Sequence, residues 1–182
     1  MTGAEFRVMK FTDTALAVLM MVVAGNVQGA ITTSATLDID VTFTQPSCNI
    51  SVPASYNLGL LTPGDGEKSH SPLTITWVCE GAEETLATAL TASIVKGTPN
   101  GGTGVTLLSD DGADTGATLS LKEGSGSLIK LLTSGTDVSS DDYFCSGTGT
   151  LRTCALIPVT SVSARGPFGM AYATLRLEIR YP

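Results

Sequence analysis

Apolar and polar side chains alternate with a period of two along most of the chain, and this pattern restricts the possible fold more than any other feature. The alternation is clearest near the N-terminus, over residues 31–43. Successive side chains of a β-strand point to opposite faces, so such a segment buries one face and exposes the other. The residues predicted to face inward are Ile31, Thr33, Ala35, Leu37, Ile39, Val41 and Phe43.

The same periodicity recurs in many short segments, and no helical period of useful length interrupts it. Stretches rich in Gly and Pro separate these segments, as in an antiparallel sandwich or barrel. The sequence therefore predicts an all-β fold with strands at residues 49–52, 56–60, 71–78, 86–96, 104–108, 117–122, 128–132, 143–146 and 151–162.

A final alternating strand runs to within one residue of the C-terminus. Chain ends usually fray unless something holds them, so this strand must bury its apolar face against this chain or another. The residues on that face are Ala171, Ala173, Leu175, Leu177, Ile179 and Tyr181. Two well-patterned strands at the two ends of one chain are what strand exchange between subunits requires.

The N-terminal segment has the layout of a secretory signal peptide. Arg7 and Lys10 precede the apolar run at residues 15–24, and small residues follow it. The apolar run is too short to span a bilayer, which takes about 20 residues. We therefore expect residues 1–29 to be removed by cleavage after Gly29 or Ala30, and the remaining chain to be exported.

Four cysteines follow the predicted leader, and an even number in an exported chain predicts two disulfides. Three pairings are possible in principle. We favour the pairing of nearest neighbours, Cys48 with Cys79 and Cys145 with Cys154. Glycines between the last two cysteines suggest a tight turn, so we interpret that bridge as a staple across a local hairpin.

Composition argues against several classes of function. The net charge is −7, whereas a nucleic-acid-binding protein needs a basic patch. His70 is the only histidine, and it has no evident nucleophile as a partner. The cysteine spacings lack the paired knuckles of a zinc site. We therefore expect no enzymatic activity, no cofactor, no metal and no nucleic-acid partner.

Four features together resemble the chaperone–usher pilins, the subunits of type 1 and P-type fimbriae. The alternating segment at residues 31–43 leads into Cys48-Asn49-Ile50, and Leu58-Gly59-Leu60 follows. Cys79 then ends a predicted strand. The most specific feature is the C-terminal motif by which the family is recognised by its chaperone. Here it comprises Gly169 at the fourteenth position from the end, Tyr181 at the penultimate one, and the apolar alternation between them, namely Ala171, Ala173, Leu175, Leu177 and Ile179.

This resemblance implies an incomplete immunoglobulin-like β-sandwich that lacks its last strand. Residues 30–43, which we call the arm, would be the donor strand, and residues 44–182 the pilin domain. The implied partners are a periplasmic chaperone, an outer-membrane usher and neighbouring pilin subunits. The chain would pass through the periplasm to a fimbria on the cell surface, as a structural subunit that contributes to adhesion. The alternative is a single-domain adhesin that binds a host glycan or protein receptor.

The chain departs from the family pattern in two respects. The arm contains no glycine, although such donor segments commonly do, and the stretch before Cys48 is short. The register of the donor strand therefore stays open. The second cysteine pair is also an addition to the usual pilin pattern.

Overall fold

The computed structural model describes residues 46–81, 85–124 and 126–182, and the leader and the arm lie outside them. The described residues form eleven strands and one short 3-10 turn at Ser140–Asp142. The strands are β1 (Ser47–Ser51), β2 (Lys68–Ser69), β3 (Leu73–Glu80), β4 (Ala87–Lys96), β5 (Thr98–Asn100), β6 (Gly104–Leu108), β7 (Asp114–Glu123), β8 (Leu131–Leu132), β9 (Phe144–Thr148), β10 (Leu151–Val162) and β11 (Thr174–Arg180).

These strands form two sheets. The larger has seven strands, in the order β1-β3-β10-β7-β6-β5, with β2 also paired to β10. The smaller has the order β11-β4-β8, with β9 also paired to β4. All pairs are antiparallel except β4 with β8. Among the strands that the structure describes, β1 thus lies at one edge of the larger sheet, and β11 at one edge of the smaller sheet.

The core contains the inward-facing side chains of both sheets. Its fully buried members come mainly from the central strands β3, β4 and β10, because strands in the middle of a sheet have neighbours on both sides. Period-two alternation accounts for the buried residues of β3 and β10, whereas β4 is buried continuously from Thr88 to Ala92. Examples are Ile75, Trp77, Leu90, Ala92, Val105 and Leu156, each no more than 1% exposed.

Trp77 of β3 is a core residue that also makes a polar contact between the sheets. It points inward and is 1% exposed, whereas its neighbour Val78 is 45% exposed. The indole Nε1 donates a hydrogen bond to the Thr88 hydroxyl of β4 at 3.0 Å. A buried indole N–H needs such a partner, so this contact satisfies the polar group while linking the two sheets.

Both predicted disulfide pairings are confirmed. Cys48 and Cys79 are bonded to each other and lie directly opposite in the β1–β3 ladder. Cys145 and Cys154 are also bonded. The interpretation of the second bridge as a hairpin staple is wrong, because β9 pairs with β4 and β10 belongs to the other sheet. The second disulfide therefore crosses the core and joins the two sheets.

Most predicted strands are present, with ends that differ by a few residues. The prediction at residues 56–60 is wrong, since that stretch is a loop. Gly59 has a φ of +75°, and its N–H bonds to the Asn57 side chain at 2.8 Å. A positive φ breaks an extended strand, and an asparagine side chain bonded two residues ahead is typical of a turn. The short strands β2 and β5 were not predicted.

An acid-dependent contact holds the 3-10 turn. The Asp142 carboxylate accepts hydrogen bonds from the Ser139 backbone N–H at 2.8 Å, the Ser139 hydroxyl at 2.9 Å and the Lys130 ammonium at 3.0 Å. These bonds, that from the Ser139 backbone first, lower the pKa of Asp142 from 3.8 to about 2. A depressed pKa means that the ionised form stabilises the folded chain.

We therefore expect Asp142→Asn to lower the urea midpoint of the mature chain at about pH 7. Asp142 is ionised above about pH 4 and becomes protonated as the pH falls towards 2. The difference in urea midpoint between Asp142→Asn and wild type should therefore be smaller at about pH 2.5 than at pH 7. Asp141→Asn is the matched control, because Asp141 is exposed and adjacent. An Asp142→Asn deficit of equal size at both pH values would contradict the assignment.

Candidate functional site

A groove lies between the two sheet edges formed by β1 and β11. It has a volume of about 420 Å³. One wall comes from the start of the larger sheet and the other from the C-terminal strand. The lining residues are Cys48, Ile50, Leu177, Glu178, Ile179, Arg180 and Tyr181.

The C-terminal strand β11 is only half covered. It pairs with β4 along its whole length, from Thr174 opposite Lys96 to Arg180 opposite Ala89. Within residues 46–81, 85–124 and 126–182, no strand pairs with its other edge. Three side chains on its apolar face contact the core yet keep some exposure, namely Leu175, Leu177 and Ile179. Their neighbours on β4 are much better covered, since Leu90 is 0% and Ile94 is 7% exposed.

The opposite wall shows the same incomplete burial. Ile50 of β1 lines the groove and is 36% exposed, and Val52 just beyond the strand is 42% exposed. Both side chains belong to the even-numbered series that begins with the bonded Cys48. Large aliphatic side chains that face a groove between two strand edges form a surface that another β-strand can cover.

Tyr181 reaches across one end of the groove. Its hydroxyl donates a hydrogen bond to the Pro46 carbonyl at 3.0 Å and lies 3.1 Å from the Cys48 sulfur. Tyr181 as a whole is 38% exposed. The C-terminal end of β11 is thereby joined to the start of β1, and the groove is closed at that end.

Two charged residues of β11 lie beside the apolar face. Arg180 Nη2 is 2.5 Å from Glu178 Oε2, and the two side chains are 39% and 43% exposed. An exposed pair of this kind contributes little to stability, because water screens it. The groove is therefore apolar in its floor with a charge-neutral rim.

The other residues of the predicted C-terminal motif lie before β11. Gly169 has a φ of +142°, which favours glycine. Tyr172 exchanges two backbone hydrogen bonds with Leu108 of the larger sheet, at 2.9 Å each. Ala171 and Ala173 flank Tyr172 and are half buried. The chain therefore crosses from one sheet to the other here, and β11 begins at Thr174 rather than at Ala171.

The structure thus brings the second half of the predicted motif, from Leu177 to Tyr181, to one groove with β1. The predicted donor residues, Ile31 to Phe43, lie outside the described residues. Sequence reasoning did not assign Pro46, Cys48 and Ile50 to the site. The alternation of Ile50 with Cys48 in the sequence indicates that the two side chains share one face of a strand. The position of that strand at a sheet edge follows from the strand order of the larger sheet.

Other candidate sites have simpler structural roles. His70 Nε2 lies 2.7 Å from the Thr160 hydroxyl, and burial, followed by the charge of Lys68, lowers the His70 pKa. Among the described residues, no group of three or more His, Cys, Asp or Glu side chains is placed to hold a metal ion. A second depression of about 550 Å³ is lined by residues that include Glu123, Tyr143 and the paired Lys130 and Asp142.

In the described part of the chain there is also no helix of the length and apolar character that a membrane span requires.

Comparison with solved structures identifies the fold. The chain is similar to the P pilus rod subunit PapA, with a TM-score of 0.51 and 19% identity, over 74% of this chain and 99% of that one. It is also similar to a chain from a chaperone–usher pilus studied for rod uncoiling, with a TM-score of 0.52 and 13% identity, over 82% of this chain and 96% of that one. No protein-family model matches the chain, and no curated protein matches it in sequence. The predicted incomplete immunoglobulin-like sandwich and the resemblance to chaperone–usher pilins are confirmed at the level of fold.

Proposed function

We propose that this chain is a structural subunit of a bacterial surface fimbria that polymerises by donor-strand exchange. In this scheme the arm of one subunit, residues 30–43, occupies the groove between β1 and β11 of the next. The observation that carries the proposal is the half-covered β11, which has a paired edge towards β4 and an apolar, partly exposed edge towards the groove. The pilin fold of the chain supports it.

The dimensions of arm and groove are compatible. Strand β11 has seven residues, which extend over roughly 23 Å at about 3.3 Å per residue. The arm has thirteen alternating residues, so it is long enough to cover β11 and still reach back to its own domain. Each large aliphatic side chain that becomes fully buried contributes about 1.5 to 3 kcal/mol. Each new backbone hydrogen bond contributes about 1 kcal/mol net, against the cost of ordering the arm.

The same groove explains why we propose a chaperone and an usher as partners. An uncovered apolar groove with unpaired backbone groups promotes aggregation. A subunit exported with its leader would therefore need a periplasmic chaperone to lend a strand until another subunit replaces it at the usher. We propose no enzymatic role, in keeping with the structural subunits that share this fold.

The purified mature chain tests this proposal. Without a chaperone it should form polymers that resist dissociation in detergent, as seen on unheated gels. An excess of a synthetic peptide with the sequence of residues 31–43 should shorten these polymers, because the peptide fills the groove without carrying another domain. A monodisperse monomer that unfolds and refolds reversibly without any bound strand would contradict the proposal.

We also propose that the subunit contributes to adhesion as part of the fibre. A single-domain adhesin would go further and bind a receptor itself. Binding of glycans or host cells by the isolated, strand-complemented subunit would identify that alternative, and its absence would favour the structural role.

A further inference from the structure

The outward faces of the two sheets differ in charge. In the smaller sheet, β11 carries Arg176, Glu178 and Arg180 on the side opposite its core-facing residues, as expected of a face that meets water. In the larger sheet, the outward residues of β1, β3 and β10 include one charged residue, Glu80 at the end of β3. We call the surface made by these outward residues the neutral face.

The central strand β10 is apolar on both of its sides. Its inward residues include the buried Cys154 and Leu156. An antiparallel strand with one side in water alternates between apolar and polar residues, whereas a near-continuous apolar run is typical of a strand covered on both sides. The outward residues of β10 therefore predict a second layer over the neutral face. The apolar ones are Leu151, Ala155, Ile157 and Val159.

Residues 46–81, 85–124 and 126–182 do not provide this layer. Leu151 is 68% exposed, and Val78, directly opposite in the β3–β10 ladder, is 45% exposed. The residues beside this pair are polar but uncharged, since Asn49 lies opposite Val78 and Thr153 lies opposite Thr76. An exposed apolar surface with such a border is typical of a protein–protein contact.

We propose that the neutral face packs against the same face of a second copy of this chain. The net charge is −7, so two copies repel each other where their charged surfaces meet. A face almost without charge lets them approach without burying unpaired or like charges. Its hydroxyl and amide side chains both donate and accept hydrogen bonds, so they can pair with the same residues of the second copy.

The size of the neutral face predicts a weak contact that becomes effective by repetition. At about 3.3 Å per residue and 4.8 Å per strand, the face covers roughly 500 Å² together with Thr118 and Ser120 of β7, which adjoin it. Two such faces bury about 1,000 Å², near the lower limit of specific interfaces. Single subunits should therefore associate weakly, whereas two fibres gain many contacts at once.

The contact should join separate fibres. A surface that packs against itself requires a two-fold axis, whereas subunits that exchange strands along one fibre follow each other head to tail. This step rests on the proposed function, because it needs fibres to exist.

Lateral association of assembled fibres tests the proposal. Native fibres should form bundles as their concentration rises, visible by electron microscopy and recovered by low-speed centrifugation, which leaves single fibres in solution. Leu151→Glu combined with Ala155→Glu should lower the pelleted share about tenfold or more, because each contact would then bury like charges. Both native side chains are exposed, so this variant should still fold and polymerise.

Two further double variants make the result specific. Leu60→Glu with Val95→Glu changes the net charge equally at residues that are exposed and outside the neutral face, so these fibres should bundle like the native ones. Leu151→Ser with Ala155→Ser removes apolar surface without adding charge and should give an intermediate pelleted share. It also carries the test if the Leu151→Glu, Ala155→Glu chain does not assemble.

The outcomes separate this contact from fibre formation itself. Native fibres that stay single at every concentration would overturn the face-to-face contact. Equal bundling by the Leu151→Glu, Ala155→Glu chain and its control would also overturn it, since the contact would then lie elsewhere. Native fibres that bind host-cell membranes through this face, and not one another, would assign the face to a different occupant. A native chain that forms no fibres at all would instead overturn donor-strand exchange.

Discussion

Deletion of residues 31–41 should abolish polymerisation while leaving chaperone binding intact. The deletion removes the apolar side chains that would fill the neighbour's groove. It keeps the described residues that line the groove of the same subunit, which run from Cys48 to Tyr181. Co-purification with the cognate chaperone measures the first property. Electron microscopy of surface fibres, together with ladders on unheated gels, measures the second. We expect polymers to fall below detection.

Two variants with multiple substitutions distinguish the effect of the arm's apolar pattern from the effect of its length, in the same experiment. Leu37→Ser, Ile39→Ser and Val41→Ser, combined in one chain, keep the arm length and remove apolar surface, so they should reproduce the deletion. Ser34→Ala, Thr36→Ala and Thr42→Ala, on the other face, should polymerise normally. Loss of chaperone binding along with polymerisation in the deletion would mean that residues 31–41 are part of the domain and not a donor strand.

The sequence predicted the parts of the fold that depend on local alternation. The strands β3, β4, β10 and β11 were all anticipated, because each has apolar residues at every second position next to polar turns. Nearest-neighbour pairing of the cysteines was also predicted correctly. Strand alternation depends on residues close in the chain, and a period of two is read directly from such residues. The Cys48–Cys79 bridge joins residues 31 positions apart, and its prediction used only the order of the cysteines along the chain.

The features of the fold that the sequence did not predict depend on which strands become neighbours in the sheets. The second disulfide was placed in a hairpin because only eight residues separate Cys145 from Cys154, yet β9 and β10 lie in different sheets. The assignment of β1 to one wall of the groove depends on a pairing order in which β1 and β11 are both edges. Tyr181 was predicted as an apolar contact, but its hydroxyl bond to Pro46 joins residues 135 positions apart.

Leu177→Glu should differ from the arm deletion by abolishing chaperone binding as well as polymerisation, since it should prevent the binding of every strand that uses the groove. Leu177 lines the groove and lies in the middle of β11. An inserted strand would cover this position, so a carboxylate there would lose water without gaining a partner. Burying an unpaired charge costs several kcal/mol, which weakens binding roughly a hundredfold or more. Chaperone co-purification and acceptance of a donor peptide should therefore fail together.

The adjacent residue provides the matched control. Arg176 is exposed on the opposite face of β11, so Arg176→Glu changes charge on the same strand without entering the groove. It should retain both chaperone and donor binding to within a few fold. Titration of free thiols would show whether both variants still form the two disulfides and hence still fold. Normal donor binding by a correctly folded Leu177→Glu chain would place the acceptor surface somewhere other than the groove between β1 and β11.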